Sequence, residues 1–188
     1  MRNLILTLSL LVSQSVAQVP VGHHQIRPIL IPRNQALYQQ ILKNNPKIDS
    51  TYAARLSNLI ADASRNHGIP AKIYAAILMQ ESAYNLSAQN KTCGLKGLDS
   101  EETSCVITDF GISQIHYKNL KRFGLDKKLL VTDLQYSIDA GAKVLATYSR
   151  FSKTEPKTWY ARYNCGTKSK SYKREVCLIY KSRVDRYL

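Results

Sequence analysis

The stretch "IPAKIYAAILMQESAYN" (residues 69–85) decides how the chain folds. Gly68 ends whatever precedes it, and Pro70 stands where a first-turn proline belongs. From Ala71 to Ser82 the residues are apolar on most sides. That is the signature of a helix covered all round, not of a surface helix with one apolar face. The spacing therefore predicts a central buried helix over 71–82. One carboxylate, Glu81, closes it, behind Ala75, Ala76, Ile77, Leu78 and Met79. Globular proteins seldom bury a lone glutamate, because taking its charge out of water is costly. Either Glu81 turns into water as an ordinary helix-end residue, or it sits in an apolar pocket that raises its pKa and handles protons.

Further helices are expected on both sides. "NQALYQQILKNNP" (34–46) places Leu37, Ile41 and Leu42 at helical spacing and stops at Pro46. A second helix opens on the capping run Asp49-Ser50-Thr51 and ends at Gly68, with Tyr52, Leu56, Leu59, Ile60 and Ala63 on its apolar face. Residues 85–108 are rich in Gly, Ser, Asn and Thr and read as irregular. Shorter helices are expected near 113–123 and 133–150, the latter carrying Leu134, Ile138, Gly141, Leu145 and Tyr148 at four-three spacing. A short helix around Trp159 leads into "YNCG", and a last one covers about 171–187, with Val176, Ile179, Tyr180, Val184 and Tyr187 facing inward. No internal repeat appears. The reading is a mainly α single domain, organised as a leader (1–17), an N-terminal arm with the first helix (18–48) and the domain proper (49–188).

The leader is "MRNLILTLSLLVSQSVA": one positive charge at Arg2, an apolar run from Leu4 to Val12, and small residues Ser15 and Ala17 where a signal peptidase reads. The run is too short to span a bilayer, which needs about 20 residues. A protein exported to the periplasm or secreted, with no stable membrane anchor after cleavage, is the expectation. The chain has four cysteines, Cys93, Cys105, Cys165 and Cys177, all beyond the leader. An even count in an exported chain points to disulfides, and three pairings are possible. The local choice is Cys93–Cys105 and Cys165–Cys177. No Cys-x-x-Cys pair and no histidine at ligand spacing supports a metal site, and no cofactor is implied. The net charge of +14 implies attraction to a polyanion, or a solvated basic face. An exported protein rarely meets nucleic acid, so anionic wall or membrane surface suits better. Lys168, Lys170, Lys173, Arg174, Lys181, Arg183 and Arg186 crowd the C-terminal stretch.

Three short motifs follow one another: "ES" (Glu81-Ser82), "DFGISQIH" (109–116) and "ARYNCG" (161–166). Each alone is weak. In this order and spacing, over about residues 50–170, they resemble the lysozyme-like lytic transglycosylases, in which a Glu-Ser pair precedes a "GLMQI"-type and then an "AYN"-type stretch. The size is similar to that of the small exported enzymes that accompany secretion or conjugation machines or that phages carry. The resemblance implies a lysozyme-like fold and cleavage of the MurNAc–GlcNAc β-1,4 bond of peptidoglycan to 1,6-anhydro-MurNAc ends. It assigns Glu81 as the catalytic acid and then base. Ser82 would hydrogen-bond around Glu81, Gln114 would line the cleft, Tyr163 would stand near the carboxylate, and Asn164 would hold a sugar or its loop. An envelope-spanning secretion or conjugation machine is the partner this type implies.

The match has departures. Ile112 and Ser113 replace Leu-Met, which would strip apolar cover from the cleft. His116 stands where Asn is frequent, and Cys165 follows "YN" in place of a small residue. Gly111 would let the backbone approach the glycan closely. Asp109 is the open question. It is a turn residue, or it is the second carboxylate that hydrolytic glycosidases use. A lysozyme working through Glu81 and Asp109, and a catalytically weak wall-binding scaffold, are the alternatives. A hydrolase built on Cys165 and His116 has no supporting motif.

Overall fold

The computed structural model describes residues 31–93, 105–166 and 175–188, with the side chain of Cys93 outside that set. The expected signal segment and most of the arm fall outside them. Helix α1 (Gln35–Asn44) opens on Asn34, whose side chain accepts from Leu37 N, and buries Leu37 and Ile41. Helix α2 (Ser50–His67) is capped by Asp49, which accepts from Tyr52 N, and ends on Gly68 in the left-handed conformation. Its Leu56, Ile60 and Ala63 are buried. Helix α3 (Ala71–Ser82) carries five consecutive buried residues, Tyr74 to Leu78, which is why its sequence is apolar all round. It packs against α1, α2 and the last helix.

A three-stranded antiparallel sheet, in the order β1 (Gln89–Cys93), β2 (Cys105–Phe110), β3 (Ile115–His116), stands beside the helices. This corrects the irregular reading of 85–108 at both ends of that stretch. The expected helix from 113 also starts later. Gln114 has φ +46°, the strand β3 intervenes, and α4 (Tyr117–Phe123) begins after His116, whose Nδ1 accepts from Lys118 N. The small helix α5 (Lys127–Thr132), capped by Asp126, was not foreseen. Helix α6 (Leu134–Ser149) buries Leu134, Ile138, Gly141, Leu145 and Tyr148 as its spacing implied. A 3-10 turn (Trp159–Ala161) feeds the one-turn α7 (Arg162–Cys165), and α8 (Glu175–Asp185) closes the described chain.

Helix α8 is rotated from the expected face. Cys177, Tyr180 and Val184 point inward, whereas Val176 and Ile179 are 62% and 43% exposed. The disulfide Cys165–Cys177 fixes that rotation, because it requires Cys177 to face α7. The strand register sets Cys93 opposite Cys105. The bond expected there involves a side chain outside the described residues. Among the described residues, no helix is long and apolar enough to cross a membrane.

Candidate active site

Three segments meet around the end of α3. The first is α3 itself. Ala83 and Tyr84 take φ of +52° and +67°, so the chain turns sharply away and leaves Glu81 at the rim of the core. Tyr84 is buried, and its carbonyl accepts from Tyr52 Oη at 3.0 Å, which fixes the turn.

The second segment is the turn Gly111–Gln114 between β2 and β3. Gly111 has φ +75°, and a Cβ there would lie 2.1 Å from the Leu130 carbonyl oxygen. Close packing on α5 is therefore by itself enough to require the glycine. Ser82 Oγ donates to Ile112 O at 2.7 Å, so it ties α3 to this turn, and it bonds there rather than to Glu81. Gln114 Nε2 donates to Ala88 O at 3.0 Å and Gly111 O at 2.9 Å, bracing the hairpin from within. Ser113 is fully buried, 3.1 Å from Tyr74 Oη, and donates to Ser137 O at 3.2 Å. The replacement at 113 thus lies in the interior beside Gly141, where a Cβ would come within 2.0 Å of Ser113 Oγ. The cleft is not stripped by it.

The third segment is α7. Buried Arg162 anchors it through a bidentate ion pair with Glu155, at 2.8 and 2.5 Å, and lies 4.0 Å over the Phe151 ring. Tyr163 Oη then reaches across to donate to Ser113 O at 2.7 Å, joining α7 to the second segment. Cys165 is held in its disulfide, so it has no thiol to offer as a nucleophile.

Between the three segments runs a cleft of about 400 Å³. Glu81, Asp109, Gln114, Tyr163 and Asn164 all line it, while Ser82 does not. Asn90, His116, Lys118, Asn119 and Tyr148 complete much of its wall. Among the described residues no group of His, Cys, Asp and Glu side chains is placed to hold a metal ion.

The Glu81 carboxyl is pushed up to about 7. Burial is the main cause, because it disfavours the ionised form. A hydrogen bond from Tyr180 Oη to Oε1, 2.5 Å long, acts the other way, and the charge of Asp109 adds to the rise. Burial and the neighbouring Glu81 push the Tyr180 phenol far up, so it remains a donor. A carboxyl with this value is protonated in part at neutral pH and can both give and take a proton.

Residues 58–176 match the Transglycosylase SLT domain. The chain belongs to that family. Membership implies lytic transglycosylase activity on peptidoglycan, on a mainly helical, lysozyme-like domain. Comparison with curated proteins and with solved structures returns no match. Sequence reasoning did not assign Asn90, Lys118, Asn119 or Tyr180 to the site, and Tyr180 lies just beyond the matched residues. The apolar spacing places Tyr180 only on the inward face of the last helix, and no local motif marks its contact 99 positions away. Asn90 was hidden because its strand was not recognised.

Proposed function

We propose that this SLT domain cleaves the MurNAc–GlcNAc β-1,4 bond without water and leaves 1,6-anhydro-MurNAc ends. The observation that carries the reading is one carboxyl, Glu81, lining a polar cleft with its pKa raised to about 7 and a phenol donor on one oxygen. In the first half-reaction, protonated Glu81 gives its proton to the bridging oxygen, which leaves as the 4-hydroxyl of GlcNAc. The MurNAc C1–O bond breaks, and the sugar's own N-acetyl oxygen steadies the cationic C1. In the second, ionised Glu81 takes the proton of the MurNAc 6-hydroxyl, whose oxygen bonds to C1. The proton balance closes and the enzyme returns to its starting form. Desolvation favours the acid form for the first step, and Tyr180 stabilises the carboxylate that the first step creates.

Asn164 is exposed at the cleft and has an amide free to meet a sugar, whereas Gln114 commits its amide nitrogen to the hairpin. The second reading is a lysozyme, favoured by Asp109 lining the same cleft. Mass spectrometry of digested sacculi separates the two. Anhydro ends support the transglycosylase, reducing ends the lysozyme, and no product a wall-binding scaffold. The leader pattern at 1–17 supports export to the periplasm or beyond, where an envelope machine would be the partner. Recovery of the protein only in the cytoplasmic fraction with Met1 intact would defeat that assignment.

A further inference from the structure

Helix α8 supplies the donor on Glu81, yet its two ends are held by different means. Near its C-terminal end, Asp185 accepts from Tyr160 Oη and pairs with Lys181. Just beyond, the Tyr187 carbonyl accepts from Gln40 Nε2 and Asn44 Nδ2, both at 2.8 Å. At the other end Val176, Leu178 and Ile179 are 62%, 50% and 43% exposed. What fastens the first turns covalently is Cys177, buried and bonded to Cys165 with their Cα atoms 5.8 Å apart. Cys177 and Tyr180 are three residues apart and share the inward face of the helix. Cys165 directly follows Tyr163 and Asn164, which line the cleft. The bond therefore joins the helix that carries the donor to the turn that supplies part of the cleft wall.

We propose that the Cys165–Cys177 disulfide is a positioning device for the active site: by tying the first turns of α8 to α7, it keeps Tyr180 Oη on Glu81 Oε1. It rests on the reading of Glu81 given above for its functional meaning, though not for its physical content. Among the described residues, the charged and titratable groups that line the cleft with Glu81 are Asp109 on β2, His116 on β3, Lys118 on α4, Tyr148 on α6 and Tyr163 on α7, and Tyr180 on α8 bonds to it. Of these, only Tyr180 moves with the first turns of α8. Losing its bond leaves burial and the charge of Asp109 without their counterweight, so the Glu81 carboxyl rises further. If the first turns merely frayed and admitted water, the carboxyl would fall instead.

The experiment is a carbon-13 NMR titration of the Glu81 carboxyl, which needs no substrate and no activity. It compares wild type, Y180F, C165A/C177A and the triple variant. The expected result is a midpoint about one unit higher in Y180F, a rise of the same sign in C165A/C177A, and no further rise in the triple variant. The alkaline limb of the glycan-cleavage profile should move with it. If the alanine pair does not fold, the titration is repeated on folded C93S/C105S protein after reduction with a phosphine, so that only this bond is cut. An unchanged or lowered midpoint in the folded, bond-free protein overturns the proposal, as does a Y180F midpoint equal to wild type. Unfolding in both formats also overturns it, since the bond would then be a staple of the whole fold. A rise in the midpoint in a protein that never cleaves glycan would keep the positioning and remove the proposed function.

Discussion

At the scale of single residues, the proposed reaction turns on one proton. Glu81→Gln keeps the shape of the side chain but can neither donate as an acid nor accept as a base at neutral pH. General acid–base catalysis contributes typically about 10²–10⁴-fold, so cleavage of purified sacculi should fall by at least about 10². Asp109→Asn should cost much less if the 6-hydroxyl is the nucleophile, and nearly as much if water is. A folded Glu81→Gln protein clearing sacculi at the wild-type rate would end the reading. The same residue sets a pH dependence of stability. The native state holds the Glu81 proton up to about 7, whereas its ordinary value is 4.5. The folded protein therefore binds more protons between those values, and its stability falls as pH rises through that window. The effect is at most about 3 kcal/mol and is reduced by water at the cleft mouth. Urea melts at pH 5 and pH 8 should show this fall in wild type and a smaller one in Glu81→Gln, which should be the more stable protein at pH 8. Glu81 was legible in the sequence because its helix, its serine and two later motifs all point to it. Tyr180 was not, because a contact spanning 99 positions leaves no local pattern.

At the scale of elements, the helices were legible where burial follows a 3.6-residue period and capping residues mark the ends. Asp49, Gly68 and the run Leu134 to Tyr148 did that work. The strands were not legible. β1 reads "QNKTC" and presents no apolar alternation. The inward positions of β2 are Thr108 and Phe110, so half of its buried face is polar. What holds the hairpin is pairing across the sheet, including Thr92 Oγ1 to Thr108 Oγ1 at 3.1 Å, which no single-strand pattern reveals. The observed face of α8 differs from the expected one because apolar spacing alone allows two rotations, and the disulfide selects one of them. A stringent test of packing lies where α6 meets the Gly111–Gln114 turn. Gly141→Ala would put a methyl 2.0 Å from Ser113 Oγ and 2.4 Å from Tyr74 Oη. Alanine is the better helix former, so propensity alone predicts a gain of about 1 kcal/mol. Overpacking in a filled interior costs about 1–3 kcal/mol and should win, because both atoms belong to a buried hydrogen-bonded group. Chemical denaturation should place the variant below wild type. Equal or greater stability would mean that Ser113 and Tyr74 can move aside.

At the scale of the whole molecule, the charge of +14 has to be located before it can mean anything. Much of the basic C-terminal run lies outside the described residues, and Lys181 within it is paired with Asp185. The described surface shows a second concentration on α4 and α5, where Lys118, Lys121, Arg122, Lys127 and Lys128 are all exposed. The acid among them, Asp126, accepts from Lys128 N and Leu129 N as the cap of α5. Lys118 also lines the cleft, so the basic face runs on from the site. Peptidoglycan stems carry free carboxylates, and a strand seated in the cleft would bring them to that face. Exposed charges are screened beyond about 10 Å at 0.1 M salt, and each exposed pair contributes little alone, about 1 kcal/mol or less. Several acting together should still dominate a weak surface attachment. Binding of the Glu81→Gln protein to intact sacculi should therefore weaken by on the order of tenfold between dilute and 0.5 M salt, equivalent to about 1.4 kcal/mol. Reversing Lys121, Arg122 and Lys128 to glutamate should lower affinity in dilute salt and leave it equal to the parent's in 0.5 M salt. The solvated-face alternative expects neither change: affinity flat across salt, with the triple reversal indistinguishable from its parent throughout, would assign these charges to solubility alone.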